Sequence, residues 1–270
     1  MKPIAASLAA LLLLAAGVGM AGWIVDRMLF LPTPGIDATP EHLGIDAEQV
    51  FLTSEDGVRL HAFYLPAPGA TRAILYLHGN AGNASHRLPI GALFADLGAH
   101  VLLLDYRGYG RSEGRPDEVG VYADARAGLR HLVDARGLPE RRVVLFGSSL
   151  GGAVAIDLAQ DRRVAGVVLE STWSSLADVA ANAFGPLARA FTQGRFVSMR
   201  KIARVRAPLL FLHGDRDDIV PWALGRRLFD AAPGPKAFET LRGAGHNDTL
   251  EVGGRAYLER LQRFLDEVAP

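Results

Sequence analysis

The 270-residue chain has no cysteine. Disulfides, thiolate nucleophiles, cysteine-based zinc sites and a lipidated N-terminal cysteine are excluded. The compartment is not, because a protein without disulfides is compatible with either side of a membrane. Net charge is absent too: 29 Lys and Arg offset 29 Asp and Glu, and no long basic stripe stands out. Non-specific nucleic-acid binding rests on neutralising phosphates, so the sequence argues against a nucleic-acid partner. No His-x-x-x-His, Glu-x-x-His or similar cluster is present, and neither a metal nor another cofactor is implied. What remains is a chain with 49% apolar residues, long enough for one large α/β domain plus a short extra segment.

Charge is also missing from the N-terminus, where no residue between Lys2 and Asp26 carries one. As a helix, Pro3 to Val25 would extend roughly 33 Å, enough to cross a bilayer. Trp23 stands where an interfacial aromatic would, and Asp26-Arg27 ends the run. Lys2 and the α-amino group favour a cytoplasmic N-terminus, which places the rest on the extracytoplasmic side. The alternative is a signal peptide: Lys2, the apolar Leu11–Leu14, then the small residues of Gly19-x-Ala21. Its cleavage would release a secreted or periplasmic protein. A buried soluble helix would show a polar face, and none exists. Residues 1–31 are therefore read as a membrane anchor or signal segment, 32–48 as an extended connector, and 49–270 as the globular domain.

Within that domain apolar runs of strand length recur. Val50–Thr53 and Val58–Leu65 flank Glu55-Asp56-Gly57, a hairpin signal. Ala73–Leu77, Val101–Leu104, Val143–Phe146, Val164–Leu169, Leu209–Leu212 and Phe238–Leu241 follow. Most are continuously apolar, as in strands buried on both faces of a parallel sheet. Helical stretches separate most of them: His86–Leu97, Glu118–Ala135, Leu150–Gln160, Ala223–Ala231 and Arg255–Val268. The expected fold class is α/β, an eight-stranded and mostly parallel open sheet with helices on both faces.

Ligands of such sheets bind beyond the carboxyl ends of the strands. There the chain places Gly-x-Ser-x-Gly, residues 147–151, between an apolar strand and a helix. This strand–turn–helix setting is that of a nucleophile elbow, with Ser149 at its tip. The bland reading of the same residues is a βα turn with a helix-capping serine. A serine hydroxyl needs a base to attack a carbonyl. His246 is the best placed of the eight histidines, in a glycine-rich loop after the last strand. Asp215, Asp217 and Asp218 are candidates for the acid, with Glu170 a distant alternative. Leu150 follows the nucleophile, so its N–H is one donor for an oxyanion hole.

The segments Leu-His-Gly-Asn-Ala-Gly-Asn (77–83), Asp-Tyr-Arg-Gly-Tyr-Gly-Arg-Ser (105–112), Gly-Ser-Ser-Leu-Gly-Gly (147–152) and His-Gly-Asp-Arg-Asp-Asp-Ile-Val-Pro (213–221) together resemble the α/β-hydrolase superfamily. The resemblance runs from about Val50 to Val268 and is strongest to membrane-anchored proteins grouped with serine-aminopeptidase-like hydrolases. It implies the α/β-hydrolase fold with a short cap and a triad in the order Ser149, Asp217, His246. The family pattern His-Gly-x-x-Asp-x-x-Val-Pro selects Asp217. The resemblance also makes Asn80 the second oxyanion donor, through its backbone N–H, so that its side chain is dispensable. It makes His78 and His213 shapers of their turns; Asp105 and Arg107 are read as tying a loop together. His61 and His86 have no supporting context.

The implied activity is a serine hydrolase cleaving a carboxylic ester or thioester of a small or lipid-like acyl substrate through an acyl-enzyme. Two alternatives stand beside it. An aminopeptidase would need a carboxylate at the mouth to hold a free amine, for which Glu170 is the visible candidate. A membrane-tethered binding protein would keep the fold without turnover. The cap segment, residues 171–205, carries Arg189, Arg195, Arg200, Lys201 and Arg204. They read as a solvated basic helix face or, more sharply, as a basic rim facing anionic headgroups or an acidic substrate. Oligomeric state is not legible.

Overall fold

Strands in the computed structural model, which describes residues 22–270, form where the apolar runs predict them. They are β1 Glu48–Thr53, β2 Arg59–Leu65, β3 Ala73–Leu77, β4 His100–Leu104, β5 Val143–Ser148, β6 Gly166–Glu170, β7 Leu209–Gly214 and β8 Lys236–Leu241. The sheet order is β1-β2-β4-β3-β5-β6-β7-β8. β2 pairs antiparallel with both β1 and β4, and every later pairing is parallel. β1 begins two residues before the expected Val50 because Glu48 and Gln49 are exposed on an edge strand, where polarity conceals the pairing.

Continuous apolar runs fit this sheet because each divides between two cores. Ala73, Leu75 and Leu77 join Val143 and Leu145 on one face, and Ile74 and Tyr76 join Val144 and Phe146 on the other. Successive side chains of a strand point to opposite faces, so both faces are apolar only if the whole run is. Tyr76 stacks on Phe146 with ring centroids 5.1 Å apart.

The connecting helices are α1 Leu88–Asp96, α2 Glu118–Arg130 and α3 Leu150–Ala159; α4 Leu176–Phe184, α5 Pro186–Thr192 and α6 Ser198–Ile202; then α7 Trp222–Ala231 and α8 Thr249–Val268. Gly254, at φ 50°, breaks α8 close to the expected start at Arg255. The cap between β6 and β7 is α4 to α6, three short helices rather than one. Gly185, at φ 84°, ends α4, and Pro186 starts α5.

Residues 22–29 form a helix, and the segment after it is more than a connector. Leu31–Pro32 pairs in parallel with Ala81–Gly82, and Pro34 bridges to Gly110. Most of the expected membrane-crossing run, residues 3–25, lies outside the described residues. No helix among the described residues is long and apolar enough to cross a membrane.

Candidate active site

Register levels the strand ends that carry the chemistry. Leu77 is opposite Gly147, Ser148 opposite Glu170, and Leu241 opposite Gly214. The loops after β3, β5, β7 and β8 therefore open at one edge of the sheet.

Ser149 sits between β5 and α3 with φ 54° and ψ −115°, a conformation L-residues rarely adopt. Its backbone is held there. Ser149 N–H donates to the Glu170 carbonyl at 2.8 Å, and its own carbonyl accepts from the Thr172 hydroxyl at 3.0 Å. The flanking glycines are needed for space: a Cβ on Gly147 would run into Gly151 and Gly152, and one on Gly151 into the Leu77 carbonyl.

The structure brings Ser149, His246 and Asp217 into one hydrogen-bonded series. His246 Nε2 is 2.9 Å from Ser149 Oγ, and Nδ1 is 2.8 Å from Asp217 Oδ2. Asp217 Oδ1 accepts from the N–H groups of Val220 at 2.7 Å and Ile219 at 3.1 Å. A second histidine also faces this carboxylate. His213 Nε2 lies 2.9 Å from the Val220 carbonyl and 3.4 Å from Asp217 Oδ2. Burial would raise the Asp217 pKa, but the His213 ring 3.4 Å away and the hydrogen bonds from His246 and the Val220 N–H hold it well below the usual carboxylate range. The other two aspartates of that loop are exposed, and Asp215 accepts from Gly243 N–H at 2.7 Å, bracing the His246 loop. Asp248 braces it again, accepting from Gly245 N–H at 2.6 Å.

The loop after β3 passes beside the serine, close enough that a Cβ on Gly79 would be 3.5 Å from Ser149 Cβ. Neither Asn80 N–H nor Leu150 N–H has an acceptor among the described residues. Both are donors of the kind an oxyanion needs, and Leu150 adds the positive end of α3. The Asn80 side chain, expected to be dispensable, has a task instead. Its amide donates to the Leu29 carbonyl at 2.9 Å, while the Asn80 carbonyl accepts from Leu31 N–H at 2.8 Å and the Tyr109 hydroxyl at 2.6 Å. Asn80 thus joins the chain that follows helix 22–29 to the loop beside Ser149. The sequence signal for this was the proline-containing stretch after Phe30, which reads as extended but does not name its partner.

Several other expectations are resolved by contacts. His61, read as lacking context, is buried with Nδ1 2.8 Å from Asp105 Oδ2. The other Asp105 oxygen accepts from Ala84 N–H at 2.7 Å and lies 3.9 Å from His78 Nε2. Burial pushes the His78 pKa down to about 4, with Asp105 opposing it. His86, likewise unassigned, lies 2.6 Å from Asp37. Arg107 clamps Asp124 and Asp56 at 2.8 and 2.7 Å. Glu170 is turned into the core, accepting from the Thr249 hydroxyl at 2.8 Å and the Tyr257 hydroxyl at 2.6 Å. Buried in this way, it is poorly placed for either alternative role, the acid or the amine-binding carboxylate. The basic cap residues are largely neutralised: Arg189 pairs with Asp178, Arg195 with Asp26, Lys201 with Asp157 and Arg204 with Asp161. The sharper reading of a basic rim loses most of its charge, because the partners come from neighbouring elements that sequence spacing does not reveal.

Comparisons agree with this architecture. A family model described as the alpha/beta hydrolase fold matches residues 72–200. An uncharacterized protein of Mycobacterium tuberculosis is 40% identical over 262 residues, 95% of this chain and 93% of its own. The alpha/beta hydrolase domain-containing protein WAV2 of Arabidopsis thaliana is 34% identical over 283 residues, 94% of this chain and 92% of its own. Among solved structures, an esterase of Pyrococcus furiosus shares the fold with a TM-score of 0.75 at 22% identity, over 90% of this chain and 99% of that one. The chain belongs to the alpha/beta hydrolase fold family.

Proposed function

We propose that this protein is a serine hydrolase that cleaves a carboxylic ester or thioester through an acyl-enzyme. The observation that carries the reading is the series from Ser149 Oγ through His246 to Asp217, at 2.9 and 2.8 Å, on a strained elbow beside two N–H groups that have no acceptor among the described residues. Neutral His246 takes the Ser149 proton at Nε2 as Oγ attacks the carbonyl carbon. Asp217, held ionised, keeps the other ring proton on Nδ1 and stabilises the imidazolium. The N–H groups of Asn80 and Leu150 receive the oxyanion. Collapse expels the alcohol or thiol, which takes its proton from His246. Water, deprotonated by the same nitrogen, then releases the acid and restores Ser149.

The ester reading is preferred to the peptide one because Glu170 is occupied in the core. We also place the protein in a membrane through residues 3–25, with the N-terminus cytoplasmic and the hydrolase domain outside. The uncharged length of that run supports this. A fluorophosphonate probe followed by an acyl-length series of p-nitrophenyl and thioester substrates tests the activity. Labelling of Ser149 and turnover of some member of the series are expected; a folded protein that does neither refutes the reading.

A further inference from the structure

Large apolar side chains are not exposed evenly over this protein. Of thirteen that are exposed among the described residues, seven fall in two short segments. Trp23, Ile24, Met28 and Leu31 lie in and just after helix 22–29, and Phe184, Leu187 and Phe191 on the cap hairpin α4–α5. The last three are 71, 79 and 67% exposed, so both phenylalanines of the hairpin and Leu187 lie on the surface.

The two segments are joined. Arg195, three residues after α5, donates to the Gly22 carbonyl at 3.4 Å and pairs with Asp26. Beside it Phe30 packs edge-on against the buried Phe196, with ring centroids 6.2 Å apart. Each segment is also tied to backbone that shapes the site. The cap begins just after Glu170, whose carbonyl holds Ser149 N–H, and helix 22–29 ends at Leu29, whose carbonyl holds the Asn80 side chain.

What covers this face follows from the chain that leads into it. The uncharged run ends at Val25, inside the helix that Arg195 and Asn80 hold to the domain. From Val25 to Leu29 is only about 6 Å of helix. There is no slack between the run and the loop beside Ser149, so a run that crosses a bilayer must hold the mouth at the bilayer surface. Trp23 with Arg27 over its ring, at 5.0 Å, is a pair suited to that depth. An apolar patch of this kind in water would be a liability; against lipid it is a contact.

We infer that helix 22–29 and the α4–α5 hairpin form one face that rests on the lipid bilayer, holding the Ser149 mouth at the interface so that the acyl chain of the substrate enters from the leaflet. The inference rests on the hydrolase and anchor readings above and adds to them where the substrate comes from: a lipid-phase acyl ester rather than a soluble one.

The absence of cysteine makes the test clean, since a single introduced thiol is the only one. Full-length L187C, F191C and R141C proteins are labelled with an environment-sensitive fluorophore and reconstituted in phosphatidylcholine vesicles that carry spin-labelled lipid. Arg141 precedes β5 at the opposite edge of the sheet and is the control. Strong quenching at positions 187 and 191 with none at 141 is expected. Equal quenching at all three positions overturns the proposal. So does a fluorophore response at 187 and 191 that follows protein concentration and not quencher lipid, which would assign the face to a second copy of the chain. In F184S/L187S/F191S, turnover of a long-chain ester held in vesicles should fall about tenfold relative to turnover of a short soluble ester. An unchanged ratio also overturns the proposal. Fluorophosphonate labelling of Ser149 in the same samples reports on catalysis separately. Its failure with the quenching pattern intact would remove the hydrolase reading and leave the bilayer contact standing.

Discussion

Replacing Asp217 with Asn changes one oxygen for one nitrogen, and the structure dictates which. Oδ1 accepts two backbone N–H groups, from Val220 at 2.7 Å and Ile219 at 3.1 Å. Turning the amide nitrogen toward them would leave both donors unpaired at about 1–3 kcal/mol each. The oxygen therefore stays, and the NH2 group faces His246 Nδ1 in place of Oδ2. A donor there forces Nδ1 to accept, which moves the ring proton to Nε2. Nε2–H can then donate to Ser149 Oγ but cannot take its proton. In the serine-protease precedent a wrong tautomer of this kind costs about ten-thousand-fold in turnover, or about 5 kcal/mol of transition-state stabilisation. The assay is kcat/KM on a soluble p-nitrophenyl ester, with circular dichroism to establish that D217N is folded. A loss smaller than about tenfold in a folded protein would refute the reasoning. The charge also enters stability. A carboxyl held below its ordinary value of 3.8 stabilises the fold above that pH and loses the contribution as pH falls beneath it. D217N should therefore lack that part of the acid sensitivity.

Three further outcomes follow from neighbouring contacts. H213N should lower kcat about tenfold with KM little changed, because His213 helps to hold the Asp217 carboxylate. Equal kcat for H213N and wild type would show that Asp217 needs no second histidine. N80A keeps the backbone donor but loses the tie to Leu29, at about 1 kcal/mol. It should turn over several-fold more slowly and become more sensitive to proteolysis within residues 22–31, and a variant indistinguishable from wild type in both would count against the coupling. Stability should also fall as pH drops from 6.5 toward 4 because of His78. Its folded pKa of about 4 lies below its ordinary 6.5, so the unfolded chain takes up a proton that the native state refuses. The contribution is complete above 6.5 and falls by about 3 kcal/mol at pH 4. Urea midpoints at pH 7.5 and 4.5 measure it, and H78N should flatten the difference.

The sheet was legible because both of its faces are buried. Runs such as Ala73–Leu77 and Val143–Phe146 are apolar at every position, and that pattern marks a central parallel strand without reference to partners. The elbow was legible for a related reason: Gly147 and Gly151 stand where any side chain would strike the backbone, so local sterics write themselves into the sequence. Ser149 and His246 could be singled out by position at strand ends, whereas Asp217 needed the family pattern to separate it from Asp215 and Asp218. What escaped reading was contact between remote segments. Nothing in Asn80 or Leu29 names the other, across 51 positions. The pairing of Lys201 with Asp157 and of Arg204 with Asp161 likewise depends on how α6 lies near the end of α3. His61 and Asp105 are 44 positions apart and meet only because β2 and β4 are neighbours.

The measurement that tests the central claim most directly is the pre-steady-state time course of p-nitrophenol release, joined to intact and peptide mass analysis of the quenched enzyme. The account predicts a burst approaching one equivalent per folded chain wherever deacylation is slow, with the acyl group on Ser149. In H246A the burst and the adduct should both disappear. An acyl group on another residue, or steady turnover by S149A at the wild-type rate, would contradict it.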